Sequence, residues 1–281
     1  MPLYVNTNVS SLFAQRNLTR STMSQQKSLE KLSTGLRINS ASDDAAGLAI
    51  SDRFRARIRS LDQAQRNAND GISVIQTAEG SLEQMTNLIH RLRELSVQSA
   101  NGSLTDGDRL FIDKEFQTLV SEIDRIAGGT TFNGLKLLNG SASGGLVFQV
   151  GADNTSLDKI SVSIGNTQTS RLGTGGTKLN TQTVSTITKS QTSLGVIDAA
   201  LAQISTERAN LGASQNRLNV TIDNLGTSIE NLSASNARIR DADIAKETAL
   251  LTRAQILVQA GVSVLAQANQ SPQVALQLLQ G

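Results

Sequence analysis

No cysteine occurs anywhere in the sequence, which removes disulfides, thiol catalysis and Cys-based metal sites together. There is a single histidine, His90, so a His-Glu-x-x-His motif or any two-His metal site is impossible. His90 reads as a flank residue beside apolar Ile89 rather than a catalytic group. Tryptophan is absent and aromatics are 2% of the chain, too few for a large ring-filled globular core. Neither sign of charge dominates: 26 Lys and Arg against 24 Asp and Glu give a formal +2, and the two are interspersed. A nucleic-acid binder would gather its cations on one face. The run Arg53, Arg55, Arg57, Arg59 does not do so, because a spacing of two spreads it around a helix between Asp52 and Asp62. No nucleic acid is expected as partner. No Walker loop or Gly-x-Gly-x-x-Gly fingerprint is present, and no cofactor or enzymatic activity is expected. The first eighteen residues lack an apolar core of signal-peptide length. No run of about 20 consecutive apolar residues occurs, so membrane insertion is not expected.

Proline is confined to Pro2 and Pro272, so nothing between them forbids very long helices. Eleven of the 22 glycines fall within 128–176, which makes the middle turn-rich and leaves the flanks for helices. Alternating steps of three and four from Leu194 meet Ile197, Leu201, Ile204, Arg208, Leu211, Gln215, Leu218, Ile222, Leu225, Ile229, Leu232, Asn236 and Ile239. Such a stripe is the seam of a coiled-coil helix of roughly 45 residues, about 70 Å long. The same stepping from Ile50 meets Phe54, Arg57, Leu61, Ala64, Ala68, Gly71, Ile75, Ala78, Leu82, Met85, Ile89 and Leu92. A third stripe, Ile112, Phe116, Leu119, Ile123 and Ile126, follows the Asn101-Gly102 break. Asp106 and Asp108 suit its first turn, and Gly128-Gly129 its end.

The predicted fold is mainly α: a long antiparallel coiled-coil bundle of N- and C-terminal segments with a small β-hairpin in the middle. Helices are expected at about 44–100, 104–127 and 190–239. Leu146 to Val150 and Ile160 to Ile164 predict the hairpin within a hairpin-and-loop region at 130–189, with Asn166 to Ser190 as a surface loop. Asp43-Asp44 are read as caps of the helix that opens at Ala45.

The extremities carry apolar residues with no partner in the bundle: Val5, Val9, Leu12, Leu29 and Leu32 at one end, and Ile256, Leu257, Val262, Leu265, Leu276 and Leu279 at the other. Helices apolar on several faces find burial in other copies of the chain. A discontinuous terminal domain, 1–43 plus 240–281, that folds on polymerisation is therefore expected around a core domain, 44–239. Near residue 90, Arg91, Leu95 and Gln98 are expected on a face opposite the Ile89–Leu92 seam, as a small interaction surface.

Two segments carry a family resemblance. Leu32-Ser-Thr-Gly-Leu-Arg-Ile-Asn-Ser-Ala-Ser-Asp-Asp-Ala-Ala-Gly-Leu-Ala-Ile-Ser51 resembles the N-terminal signature of bacterial flagellins, and Arg253-Ala-Gln-Ile-Leu-Val-Gln-Ala-Gly-Val-Ser-Val-Leu-Ala-Gln-Ala-Asn-Gln270 resembles their C-terminal one. The resemblance implies a structural subunit of the flagellar filament, in a minimal form without large outer domains. It implies terminal helices lining an inner tube, and secretion to the cell exterior without a cleavable signal peptide. The implied partners are other copies of the chain, the flagellar export apparatus, a C-terminal export chaperone, and the filament cap and hook-junction proteins. Leu88 to Asn101 resembles the segment bound by the vertebrate Toll-like flagellin receptor, with Ile89, Arg91, Leu95, Gln98 and Glu115 at receptor and inter-subunit contacts. A hook–filament junction protein is the alternative.

Overall fold

A computed structural model describes residues 7–279, with side chains described for 7–270. Five helices carry most of it: α1 (Val9–Thr34), α2 (Ala45–Ser99), α3 (Asp106–Gly129), α4 (Ile187–Arg240) and α5 (Ile244–Leu279). Between α3 and α4 lie three two-stranded antiparallel ladders: β1 (Thr131–Phe132) with β2 (Leu135–Lys136), β3 (Leu146–Gln149) with β4 (Lys159–Val162), and β5 (Gly173–Thr174) with β6 (Thr177–Lys178). The chain forms two compact units, one of residues 1–56 with 230–281 and one of residues 57–229.

In the second unit α2 and α4 run antiparallel. Arg93 pairs with Asp198 at 2.8 Å and Glu79 with Arg208 at 3.6 Å, so each step forward along one helix is a step back along the other. The predicted seam is realised on α2 from Leu61 to Leu92, where every position is buried. On α4, Ile197, Ile204, Leu211, Leu218 and Leu225 are buried, and the seam positions between them are half-buried. Burial at 3.6-residue periodicity with polar residues outside is what makes both helices amphipathic. α3 adds Phe116, Val120, Ile123 and Ala127 to the same core.

Local chemistry fixes the α2–α3 turn. Thr105 and Asp108 form a reciprocal capping box at the start of α3. Arg109, itself buried, donates from Nε to the Ser99 carbonyl (2.9 Å), from Nη2 to the Asn101 carbonyl (2.9 Å) and from Nη1 to Asp106 (2.8 Å). The cation therefore satisfies carbonyls at the C-terminal end of α2, where the helix dipole is negative.

The expected β3–β4 hairpin is present, with Leu146 opposite Val162 and Gln149 opposite Lys159. The β1–β2 turn is Asn133-Gly134, both at positive φ (48° and 79°), the two-residue turn whose twist suits a hairpin. The segment expected as a surface loop is partly core. Leu172, Leu179 and Val184 are buried, and side chains from two helices fasten its backbone. Asp113 and Asp124 on α3 accept from the amides of Val184 (2.7 Å) and Thr169 (2.8 Å). Glu207 on α4 accepts from the Gly165 amide (2.6 Å), and Gln203 brackets Gly173 through its amide (3.0 Å) and carbonyl (2.8 Å). A loop with such partners can lie in the core because its backbone polar groups are satisfied.

Two consequences are measurable by thermal and urea unfolding followed by circular dichroism. Leu82→Ala, at a fully buried seam position, is expected to destabilise the protein by about 2–5 kcal/mol. Arg109→Met keeps the apolar stem but strands the Ser99 and Asn101 carbonyls, with an expected loss of about 2–3 kcal/mol.

Candidate assembly surfaces

The first unit is built on the α1·α5 pair, which is antiparallel. Asn8 Nδ2 donates to the Ala268 carbonyl (2.7 Å), Ser11 Oγ to Asn269 (2.7 Å) and, at the far end, Ser28 Oγ to Glu247 (3.2 Å). Lys31 approaches the same Glu247 carboxylate at 3.5 Å. On α1 the inward stripe is Ser11, Ala14, Leu18, Ser21, Gln25, Ser28 and Leu32; on α5 it is Glu247, Leu251, Ala254, Val258, Gly261, Leu265 and Ala268. Steps of three and four relate successive positions on both helices, the spacing of a coiled-coil seam.

Small side chains make up half of that seam. A Cβ on Gly261 would lie 3.2 Å from Leu18 Cδ1, so glycine is what permits the approach there. Many of the other large apolar side chains are left outside. Phe13 is 65% exposed and Leu257 51%, and Val9, Leu12, Met23, Leu29, Ile244, Ile256, Val262 and Val264 are also exposed. Val9, Phe13 and Leu18 on one side and Leu257, Gly261 and Val264 on the other line an open groove of about 790 Å³.

Among the sequence-derived assembly residues, Val9, Leu12, Leu29, Ile256, Leu257 and Val262 are exposed, whereas Leu32 and Leu265 are half-buried in the α1·α5 seam. Val5 and the side chains of Leu276 and Leu279 lie outside the described residues. The stretch Ile244–Gln270 is long and apolar enough, by length and composition, to cross a membrane, its most apolar part averaging a hydropathy of 1.5. Scattered Gln, Ser and Thr interrupt every consecutive apolar run without lowering the average below that of a span.

The loop after α1 is held by its own caps. Asp44 Oδ1 accepts from the Gly47 amide (2.9 Å), the expected helix cap, while Asp43 turns back to the amides of Ser40 (3.1 Å) and Asn39 (3.2 Å). Those backbone bonds, Ser40 first, hold the Asp43 carboxyl below its ordinary range.

In the second unit, Arg91 and Glu115 meet across α2 and α3 at 2.8 Å, and Arg91 also reaches Glu94 at 2.9 Å. Both carboxylates, Glu94 foremost, raise the Arg91 pKa. Arg91, Gln98 and Glu115 are exposed, as is His90. Leu95 is not: it is 1% exposed and belongs to the core with Ile89. The expectation of an outward leucine assumed one partner helix for α2. Because α3 also lies alongside α2, the helix buries two flanks, and Leu92, Leu95 and Ser99 form a second stripe that a single seam cannot register.

Comparison with known proteins agrees with both terminal signatures. The bacterial flagellin N-terminal helical region matches residues 5–143 and the bacterial flagellin C-terminal helical region matches residues 194–279. The flagellin of Halalkalibacterium halodurans is 46% identical over 277 residues, covering 99% of this chain and 100% of that protein. The flagellar filament 33 kDa core protein of Treponema phagedenis is 43% identical over 289 residues, with the same coverage of each. Flagellin C of Vibrio cholerae, 38% identical, aligns over 377 positions and so carries sequence that this 281-residue chain lacks. Among solved structures, Bacillus cereus flagellin matches at a TM-score of 0.50 and 30% identity, covering 61% of this chain and 94% of that one. With both signature regions matched and full-length relatives above 40% identity, the chain belongs to the bacterial flagellin family.

Proposed function

We propose that the protein is the subunit of a bacterial flagellar filament, a secreted, extracellular structural polymer used for motility, and that the outward faces of α1 and α5 are what drive its assembly. It is a structural protein, not an enzyme. The observation that carries the assembly reading is the unpartnered outer face of the α1·α5 pair: Phe13, Ile256, Leu257 and Val264 stay exposed, while Leu and Val beside Ala, Ser and Gly fill the seam. Burying such surface on like copies gains about 25 cal/mol per Å² removed from water. A repeating contact between different faces of identical chains generates an open helical polymer when its rotation does not close on itself. On this reading 1–43 with 240–281 is the terminal, inner part of the subunit and 44–239 its core. The export apparatus, a C-terminal chaperone, and cap and hook-junction proteins are partners implied by family membership.

Recognition of the free monomer by the vertebrate flagellin receptor is a second reading, favoured by the exposed Arg91–Glu115 pair with Gln98 beside it on α2. Ile89 and Leu95 then support that surface from below rather than touch the receptor. A hook–filament junction role is separated from the filament role by whether purified protein elongates filaments.

In seeded growth followed by electron microscopy, Phe13→Ser or Leu257→Ser is expected to raise the critical concentration by about tenfold or more, with the unfolding midpoint of 57–229 unchanged. Normal elongation by both variants would end the assembly proposal. For the receptor, Arg91→Ala and Glu115→Ala are expected to lower signalling in reporter cells without loss of fold. Signalling equal to wild type from both would remove that reading and leave the filament untouched.

A further inference from the structure

We propose that Asn101 is a site of spontaneous self-modification: the Gly102 nitrogen displaces the side-chain amide as ammonia, and water opens the resulting ring to an isoaspartyl residue whose new carboxylate Arg109 holds. Three Asn-Gly pairs occur, 101–102, 133–134 and 139–140, and a glycine without Cβ lets its nitrogen approach the preceding side chain. The structure separates them. Asn133 is held in the left-handed conformation (φ 48°) by the strand pairs that flank its turn, Phe132 with Leu135 and Thr131 with Lys136. Asn139 is half-buried, and the Gly140 carbonyl accepts from the amide (3.1 Å) and hydroxyl (2.7 Å) of Ser143. The Asn166 side chain also closes in on Gly140, 2.9 Å from where a Cβ would stand. Asn101 and Gly102, by contrast, are exposed. Beyond its chain neighbours no heavy atom lies within 4 Å of a Cβ on Gly102, and its N–H has no hydrogen-bond acceptor among the described residues.

Two hydrogen bonds prepare the chemistry. Asn101 Oδ1 accepts from the Ser103 amide (3.2 Å), which folds the side chain back over the Gly102 peptide. The same N–H faces the oxygen on which negative charge gathers as the Gly102 nitrogen adds to Cγ. The nitrogen–Cγ bond forms, the Cγ–Nδ2 bond breaks, and Nδ2 leaves as ammonia with the proton that the Gly102 N–H gives up. Water then opens the ring. At the main-chain carbon of Asn101 the bond to Gly102 nitrogen breaks, the nitrogen regains a proton and stays on Cγ, and the carbon becomes a carboxylate. Arg109, a buried cation on α3, donates from Nη2 to the oxygen of that carbon (2.9 Å). It draws electrons from the atom that water attacks, and an ion pair then replaces a bond to a neutral carbonyl. Opening at Cγ, which gives ordinary aspartate, has only the neutral Ser103 amide on its oxygen. The isoaspartyl branch is therefore favoured. It adds one negative charge and one main-chain carbon to the exposed α2–α3 turn while Arg109 keeps its grip.

The test is to age purified full-length monomer at neutral pH, folded and, in parallel, unfolded in urea. The three sites fall in separate tryptic peptides, 94–109, 126–136 and 137–159, so mass spectrometry follows each one, and electron-transfer fragmentation separates isoaspartate from aspartate. In the folded protein Asn101 is expected to convert faster than Asn133 and Asn139; in urea, with local geometry gone, the three are expected to converge. The ratio of isoaspartate to aspartate at 101 is expected to be about threefold to tenfold higher folded than unfolded, the worth of one hydrogen bond. Arg109→Met, aged where circular dichroism shows it folded, is expected to lose that excess. If it does not fold, the wild-type comparison of folded and unfolded ratios decides alone. Gly102→Ala meets open space and is expected to abolish conversion at 101 and leave 133 and 139 unchanged. Folded Asn101 converting no faster than the other two, an equal ratio in both states, or conversion of Gly102→Ala at the wild-type rate overturns the proposal.

Discussion

Close approach of α1 and α5 is the constraint on which the surface chemistry of this chain depends. Over some 25 residues the contact stripe is narrowed where Ala14, Ser21 and Ser28 face Ala254, Gly261 and Ala268, between Leu18 and Leu32 on one helix and Leu251, Val258 and Leu265 on the other. Other large side chains lie on the remaining faces. The same sequence choice that permits the pairing leaves Phe13, Leu257 and Val264 in water. Polar contacts also hold the pair at its ends, from Asn8 and Ser11 to 268–269 and from Ser28 and Lys31 to Glu247. A pair of this kind has more to gain from burial against a further surface than from its own seam.

The unit of residues 57–229 follows the opposite logic. Its seams are filled by Leu, Ile, Met and Phe, and its polar residues work as fasteners. Arg109 closes a helix end, Asp113, Asp124, Gln203 and Glu207 pin the Thr-rich segment, and Arg93–Asp198 and Arg91–Glu115 tie helix to helix at the surface. The surface pairs contribute little to stability, since exposed ion pairs are typically worth less than about 1 kcal/mol. The carboxylate-to-amide bonds matter more, because each supplies a buried backbone group that would otherwise lose its water without replacement.

How far the sequence reached follows from this contrast. The seam from Leu61 to Leu92 and its partner from Ile197 to Leu225 were legible because one repeated contact, two helices in register, imposes one period on both. The β3–β4 hairpin was legible from alternation at Ile160 to Ile164. Leu95 was not, because α3 adds a second neighbour to α2 and a three-body contact leaves no single period. Composition marks the Thr-rich segment as loop, which it is, but Leu172, Leu179 and Val184 at irregular spacing carry no period that marks them as core. Asn133-Gly134 was a hairpin signal that short strands of two residues each made easy to miss.

The α1·α5 faces show a different kind of limit. Counting apolar residues at the extremities identified side chains in excess of what a monomer could bury, yet it did not separate inward from outward ones: Leu32 and Leu265 belong to the seam, Leu12 and Ile256 to the outside. The sorting follows from the spacing of the α1·α5 contact, whose seam takes in Leu18, Leu32, Leu251, Val258 and Leu265 together with Ala, Ser and Gly. A hydrophobicity criterion assigns every large apolar residue to the interior, which is right for α2 and α4 and for only part of α1 and α5. In a chain built to polymerise, the apolar face left over by that contact is the one whose burial awaits a partner.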